Sequence, residues 1–439
     1  MTGHRRATLA LAALSVSTFT FVATEILPVG LLTLIADDLH RSPSRIGLLM
    51  TGYAAVVVLA SLPLARLTQR VPRRPLLGVT LAVFSAGTLV SALAPGYAVL
   101  LGARLVVGLS QALFWSVVGS TAVGLFPPER RGRTVARLSL GAALAPVLGV
   151  PAGTWLGQQA GWRVAFLVMA GIGVATGAAI VALLPSAPPG SSPSSRGQAP
   201  DARRFAVLAL SVTLGVTGAM TAQTYVTPFL LDVAGFAPAT LGPILAVAGS
   251  AGFAGTLVTG RFLDRHPWGA LLVPMALLCA TLLVLFALGP VRPVTVAALA
   301  LNGAAYSAMA VAVQNRTLLI APGSTDIGAA AIGSAFNVGI AAGSFLGGEI
   351  IDGPGVRAVA LAGAGLTAAA AALLLAEPWL ARRGPSTVEH SAGVAKPTPA
   401  DVFPRPDTPR AASPSGAIQI RDAEEAVGSS TLHVRQPPP

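Results

Sequence analysis

Long apolar runs separated by short polar breaks occupy the first 376 residues of the chain. The first run extends from Leu9 to Ile35, longer than the roughly 20 apolar residues that cross the hydrocarbon core of a bilayer. Eleven more follow at 46–65, 75–94, 98–126, 134–157, 163–184, 205–231, 240–260, 269–289, 293–320, 326–348 and 356–376. The pattern predicts an all-α integral membrane protein with twelve transmembrane helices. A basic start ahead of an apolar run also begins a secretion signal. This run is too long for one, and no small-residue cleavage site with a soluble domain follows, so it is expected to remain as the first span.

The polar breaks divide the chain. Residues 185–204 are rich in Pro, Gly and Ser and read as a flexible linker. Beyond the last run the composition turns polar and Pro-rich, which predicts a disordered tail. The expected organisation is a short N-terminus (1–8), a six-helix bundle (9–184), the linker (185–204), a second six-helix bundle (205–376) and the tail (377–439).

Composition supports the membrane assignment. Of 439 residues 53% are hydrophobic and 10% charged, against about 25% charged in soluble domains, and the mean hydropathy is +0.72. A net charge of +12 would suggest nucleic acid in a soluble chain, but topology explains it here. With the N-terminus inside, 18 arginines up to residue 383 fall on the inner side and 5 on the outer. The positive-inside rule therefore places both termini in the cytoplasm and removes any need for a nucleic-acid partner. One cysteine, Cys279, allows no internal disulfide.

The two sets of six read as repeats. Thr24-Glu25-Ile26-Leu27-Pro28 is echoed by Thr224-Tyr225-Val226-Thr227-Pro228, Gly149/Gly153/Gly157 by Gly339/Gly343/Gly347, and the basic loop at Arg66 and Arg70 by Gly260 to Arg265, all 190 to 200 residues apart. Six-plus-six repeats about an axis along the membrane normal are a transporter arrangement, with the substrate site near the midplane between halves.

Few residues are available for chemistry. Glu25 is the only acid placed deep in a predicted span, and no histidine lies in one. An intramembrane carboxylate is costly and marks function. Counting about 1.5 Å per residue, Glu25 lies about 15 Å and Arg104 about 10 Å below the outer face, so the two are expected to pair; the alternative is that Arg104 holds backbone carbonyls. Together they are the proton-coupling candidates. Thr24, Gln111, Trp115, Gln223, Tyr225, Asn302, Tyr306 and Asn337 are polar or amphipathic residues within spans, available to a substrate or to bonds between helices. Pro28, Pro151 and Pro228, with Gly149, Gly153, Gly339 and Gly343, are packing or gating candidates. The basic loops contribute Arg70, Arg73 and Arg74, and Gly260, Asp264 and Arg265, as a latch or as topogenic charge. No P-loop and no metal-spaced His/Cys set occurs, so no cofactor or metal is expected and the proton gradient is the expected drive.

These residues resemble a known family. Thr24-Glu25 with Pro28-Val29-Gly30-Leu31-Leu32, Ala112-Leu113-Phe114-Trp115-Ser116, Gly157-Gln158 with Gly161-Trp162-Arg163, Pro228-Phe229 with Ala234-Gly235-Phe236, and Phe336-Asn337-Val338-Gly339-Ile340 resemble the sugar-efflux branch of the major facilitator superfamily. This branch, of drug:proton antiporter-1 type, is typified by the exporter of L-arabinose and isopropyl-thiogalactoside. Arg104 with Gly108, Leu148 to Gly153, and Gly260 to Arg265 resemble the superfamily's fourth-helix arginine, fifth-helix antiporter and loop motifs. The chain departs from the pattern at residues 65–74, which lack the loop motif's Gly and Asp, at Gln111, where the branch often has histidine, and at Thr227, where the arabinose exporter has glutamate. The resemblance implies a monomeric, multi-pass protein of the bacterial inner membrane, exporting a sugar or sugar-like molecule in exchange for protons. Alternatives are a hydrophobic-drug exporter of the chloramphenicol-resistance type and a non-transporting sensor or scaffold.

Overall fold

The computed structural model describes residues 3–68, 71–127, 131–185, 199–262, 268–322 and 325–382. These are helical throughout, and twelve helices among them are long and apolar enough to cross a membrane. The first half comprises α1 (Gly3–Gly30), α2 (Leu32–Asp38), α3 (Pro43–Leu67), α4 (Arg73–Ala92), α5 (Tyr97–Val123), α6 (Arg131–Leu144), α7 (Val150–Ala160) and α8 (Trp162–Leu183). The second comprises α9 (Ala202–Gln223), α10 (Val226–Pro228), α11 (Leu241–Phe262), α12 (Gly269–Leu288), α13 (Arg292–Ile320), α14 (Thr325–Asp352) and α15 (Ala358–Arg382).

Several expected boundaries move, each for a local reason. The run 9–35 is two helices that part at Leu31, just beyond Pro28. The first helix reaches back through Arg6, whose guanidinium donates to the carbonyls of Leu183 and Ala182 at the end of α8, groups a helix end leaves unpaired. The fifth span is interrupted by a π-helical turn at Ala145–Gly149, ahead of Pro151. The seventh breaks at Thr224-Tyr225 and re-enters through Pro228 and a second π turn at Phe229–Val233. Asp201, assigned to the linker, caps α9 by accepting from the N–H groups of Arg203 and Arg204. The last helix continues to Arg382, six residues past the expected end of the last span at 376. Residues 186–198 and 383–439, most of the linker and tail, lie outside the described residues.

Each half has its own core. Phe21 packs on Phe84 and Phe114, with centroids 4.3 Å apart in both cases, inside a cluster drawn wholly from α1 to α8 and the residue beyond it. A second cluster draws only on α9 and α12 to α15. The glycine ladders seat the fifth span on the first and the eleventh on the seventh. Gly149, Gly153 and Gly157 lie against Ala23, Leu27 and Leu31, and Gly339, Gly343 and Gly347 against Val216, Thr217 and Thr221. Lipid offers no hydrophobic drive between helices, so such close approach carries the association. At Gly343 a Cβ would stand 2.4 Å from the Thr217 carbonyl oxygen and 3.0 Å from the Thr221 nitrogen. Backbone cannot yield there, so Gly343→Val is expected to cost at least about 2 kcal/mol, read as a lower midpoint of thermal unfolding in detergent.

The halves meet where α1 ends and α3 begins. Val29, Met50 and Val150 share an apolar cluster with Val226, Leu230, Leu241 and Ile244. Around it Ser44 donates to Asp352, Thr227 donates to the Val29 carbonyl (2.7 Å), and Gln158 donates to the Pro238 carbonyl. Gly47 of α3 leaves room for the Tyr225 ring.

Candidate functional site

Pro28 organises the site. It lacks an N–H, so the carbonyl four residues back, that of Thr24, loses its helical partner. Arg104 of α5 takes that place, donating to the Thr24 carbonyl at 2.7 Å and to the Glu25 carbonyl at 3.0 Å. It is fully buried, its Nε is unpartnered, and its guanidinium lies 4.4 Å over the ring of Tyr53. Three residues of α5 spaced four and three apart, Arg104, Gly108 and Gln111, share one face of the helix. That face grips α3: Gly108 allows the Tyr53 backbone oxygen within 3.2 Å of where a Cβ would stand.

The Glu25 carboxylate turns to this same face. It accepts from the Gln111 amide nitrogen at 2.8 Å, and the Gln111 oxygen accepts from the Tyr53 hydroxyl at 2.6 Å. The expected ion pair is not formed: among the described residues no pair within 4.0 Å joins Arg104 to Glu25. The helix break satisfies the arginine, and an amide meets the carboxylate.

The other candidates divide. Tyr306 of α13 lies close enough to Glu25 to feel its charge and stacks edge-on with Phe336, centroids 6.2 Å apart. Gln223 and Asn302 line one small pocket with Val226, Phe229 and Leu282, but the Asn302 amide is engaged by Thr281. Asn337 donates to Gly333 of its own helix, leaving its oxygen unpartnered. Trp115 is 43% exposed and stands edge-on to Phe114. Tyr225 is placed elsewhere: fully buried between the halves, it donates to the Ser344 carbonyl at 2.9 Å. Of the loop residues, Arg73 and Arg74 begin α4 and Gly260 lies near the end of α11, while Arg70, Asp264 and Arg265 fall outside the described residues.

Sequence reasoning missed three features. Tyr53 carries the second hydrogen bond of the network; the spacing of Arg104, Gly108 and Gln111 was the available signal. Asp352 reaches the start of α3 in the opposite half, where Ser42 is the N-cap. A second acid is also buried within a span, contrary to expectation: Glu377 of α15 pairs with Arg316 of α13, side chains 4% and 9% exposed. The apolar residues Trp379 and Leu380 after Glu377 were its signal. At the corner beyond α2, the Asp38 carboxylate accepts from Arg163 (2.6 Å) and Trp162 (3.2 Å), and the Arg163 bond holds it below the usual carboxylate range.

Twelve membrane-spanning helices in two halves, with a half-buried carboxylate inside the first helix, point to a membrane transporter. Residues 13–326 match the Major Facilitator Superfamily, and the chain belongs to that family. A bacterial homologue of the human lysosomal transporter Spinster, solved inward-facing and unoccupied, has a TM-score of 0.64 and 18% identity over 86% of this chain and 96% of that one. Its inward-facing, occupied form gives 0.66 and 18% over 87% and 99%. The human organic anion transporter MFSD10 (TETRAN) gives 0.61 and 16% over 85% and 100%. At these identities the likeness is one of fold.

Proposed function

We propose that the chain is a proton-coupled exporter of the sugar-efflux branch, a monomer of the bacterial inner membrane exchanging a small sugar-like molecule outward for protons inward, with no cofactor. The observation that carries the reading is Glu25, a carboxylate three residues before Pro28 in the first span, held by the Gln111 amide. With arginines biasing the termini to the cytoplasm, the apolar seam becomes the periplasmic gate, closed in this conformer. In the alternate state Glu25 takes a proton from the periplasmic side. After the gate closes it releases that proton to the cytosol, and the ionised carboxylate restores substrate binding. Arg104 satisfies the Thr24 carbonyl that Pro28 frees within α1 and supplies positive charge beside it. The substrate lies between the halves, near Gln111, Trp115, Tyr306, Asn337 and Gln223.

A second reading, export of a hydrophobic drug, is favoured by exposed Trp115 and by the Tyr306–Phe336 aromatic pair, while Asn302 and Tyr225 are engaged within the protein. Inside-out vesicles carrying an imposed proton gradient and a lumenal pH dye separate the two. Candidate sugars and drugs are added singly, and the expected result is lumenal alkalinisation with one class only. Uptake of a substrate without any proton movement would overturn the coupling.

A further inference from the structure

We infer that Gln111 is a reversible hydrogen-bond relay that reports the protonation state of Glu25 to Tyr53, and so to α3, the helix that meets α14 across the seam. The inference rests on Glu25 being the proton site. It goes beyond that by assigning Gln111 and Tyr53 a switching role that operates whether or not substrate is bound.

The argument is one of donors and acceptors. An ionised carboxylate only accepts, so Gln111 must present its NH2 to Glu25; its carbonyl oxygen then faces Tyr53, whose hydroxyl must donate. Both bonds have that sense, at 2.8 and 2.6 Å. When a proton from water binds the carboxylate, Glu25 gains an O–H donor and that carboxyl proton needs an acceptor. Turning the amide by half a revolution presents its oxygen to Glu25 and its NH2 to Tyr53, whose hydroxyl becomes the acceptor. The proton stays on Glu25, no other covalent bond changes, and every bond of the chain reverses its sense. Gln111 and Tyr53 are both buried and cannot reorient singly, since each would leave an unpaired buried donor or acceptor.

The Tyr53 ring has no room to step aside. The Arg104 guanidinium covers one face at 4.4 Å, Gly108 lies against its edge, and the residue is fully buried. The hydroxyl hydrogen stays on Tyr53 but, turned from Gln111, needs a new acceptor, which so confined a ring can bring within reach only by a shift of α3. Tyr53 lies less than two turns from Gly47 and less than three from Ser44, which meet Tyr225 and Asp352 of the other half. The charged and titratable groups that reach Glu25 are Arg104, Tyr53 and Tyr306; of these Tyr53 alone has a hydrogen bond to the residue holding the carboxylate.

The test is pH-difference infrared spectroscopy of the full-length purified protein, with no substrate needed. The carboxyl C=O band is assigned by its loss in Glu25→Gln, and the tyrosine C–O band by its loss in Tyr53→Phe. In the wild type the two bands are expected to change together over the same pH range. In Gln111→Leu the carboxyl band is expected to persist while the tyrosine change disappears. A tyrosine change that survives in Gln111→Leu, or a wild type in which only the carboxyl band responds, would overturn the relay and leave Glu25 as the proton site. Absence of any Glu25 band between pH 4 and 10 would overturn the proton site and the relay with it. Should Gln111→Leu fold poorly, Gln111→Met keeps a chain of similar length without the amide and serves the same comparison.

Discussion

Glu25→Gln is expected to abolish uphill, proton-driven export while retaining substrate-for-substrate exchange, with substrate binding weakened because the ionised form is lost. Glutamine matches the protonated acid in shape and charge, and the Gln111 amide can turn to meet the new NH2, so no buried polar group is orphaned and stability should change little. What disappears is the differential proton binding between the two states. Removing a coupling of the usual size lowers the accumulation ratio by about 5- to 150-fold. Counterflow of labelled substrate at equal concentrations measures the retained exchange, and accumulation under an imposed gradient measures the loss. Full accumulation in this variant would remove Glu25 from the coupling mechanism.

Glu377→Ala is expected to be the most destabilising single change. Its carboxylate meets Arg316 in a buried pair, and Arg316 Nε already lacks a partner. Taking away one member of a buried pair leaves an uncompensated charge, at a cost of about 3–5 kcal/mol. Replacing both members with apolar residues, Arg316→Met with Glu377→Leu, is expected to restore most of that. Melting of the detergent-solubilised protein, followed by size exclusion on heating, checks the series. The same pair distinguishes two truncations: a chain ending at Gly384 keeps it, and one ending at Ala376 loses it. A double variant no more stable than Glu377→Ala would mean the loss comes from packing and not from the unpaired arginine.

The pattern of apolar runs was sufficient for the twelve spans, because a bilayer leaves helix length and hydropathy little freedom. The glycine ladders were equally legible, since four-residue spacing already puts Gly149, Gly153 and Gly157 on one face. Depth arguments brought Glu25 and Arg104 to the same level, yet did not say which atoms meet. Pro28 held that information: it frees the Thr24 carbonyl, and a buried carbonyl needs a donor. The same rule operates at Pro378, which frees the Leu374 carbonyl that Trp268 then meets at 3.3 Å. Tyr225 and Asn302 were open to a ligand or to bonds between helices, and they bond to the Ser344 carbonyl and the Thr281 hydroxyl. Nothing in their own positions along the chain signals that, because the partners lie in other helices. Glu377 was hidden by the Pro-rich residues after it, which made the end of the helix read as the start of the tail.

In electrical terms the apolar seam is an insulator. Val29, Met50 and Val150 against Val226, Leu230, Leu241 and Ile244 form an apolar layer where the halves meet. An ion entering such a layer faces an idealised solvation cost on the order of 20 kcal/mol. A transporter of this build therefore resists ion leakage along the seam while its two halves are in contact there.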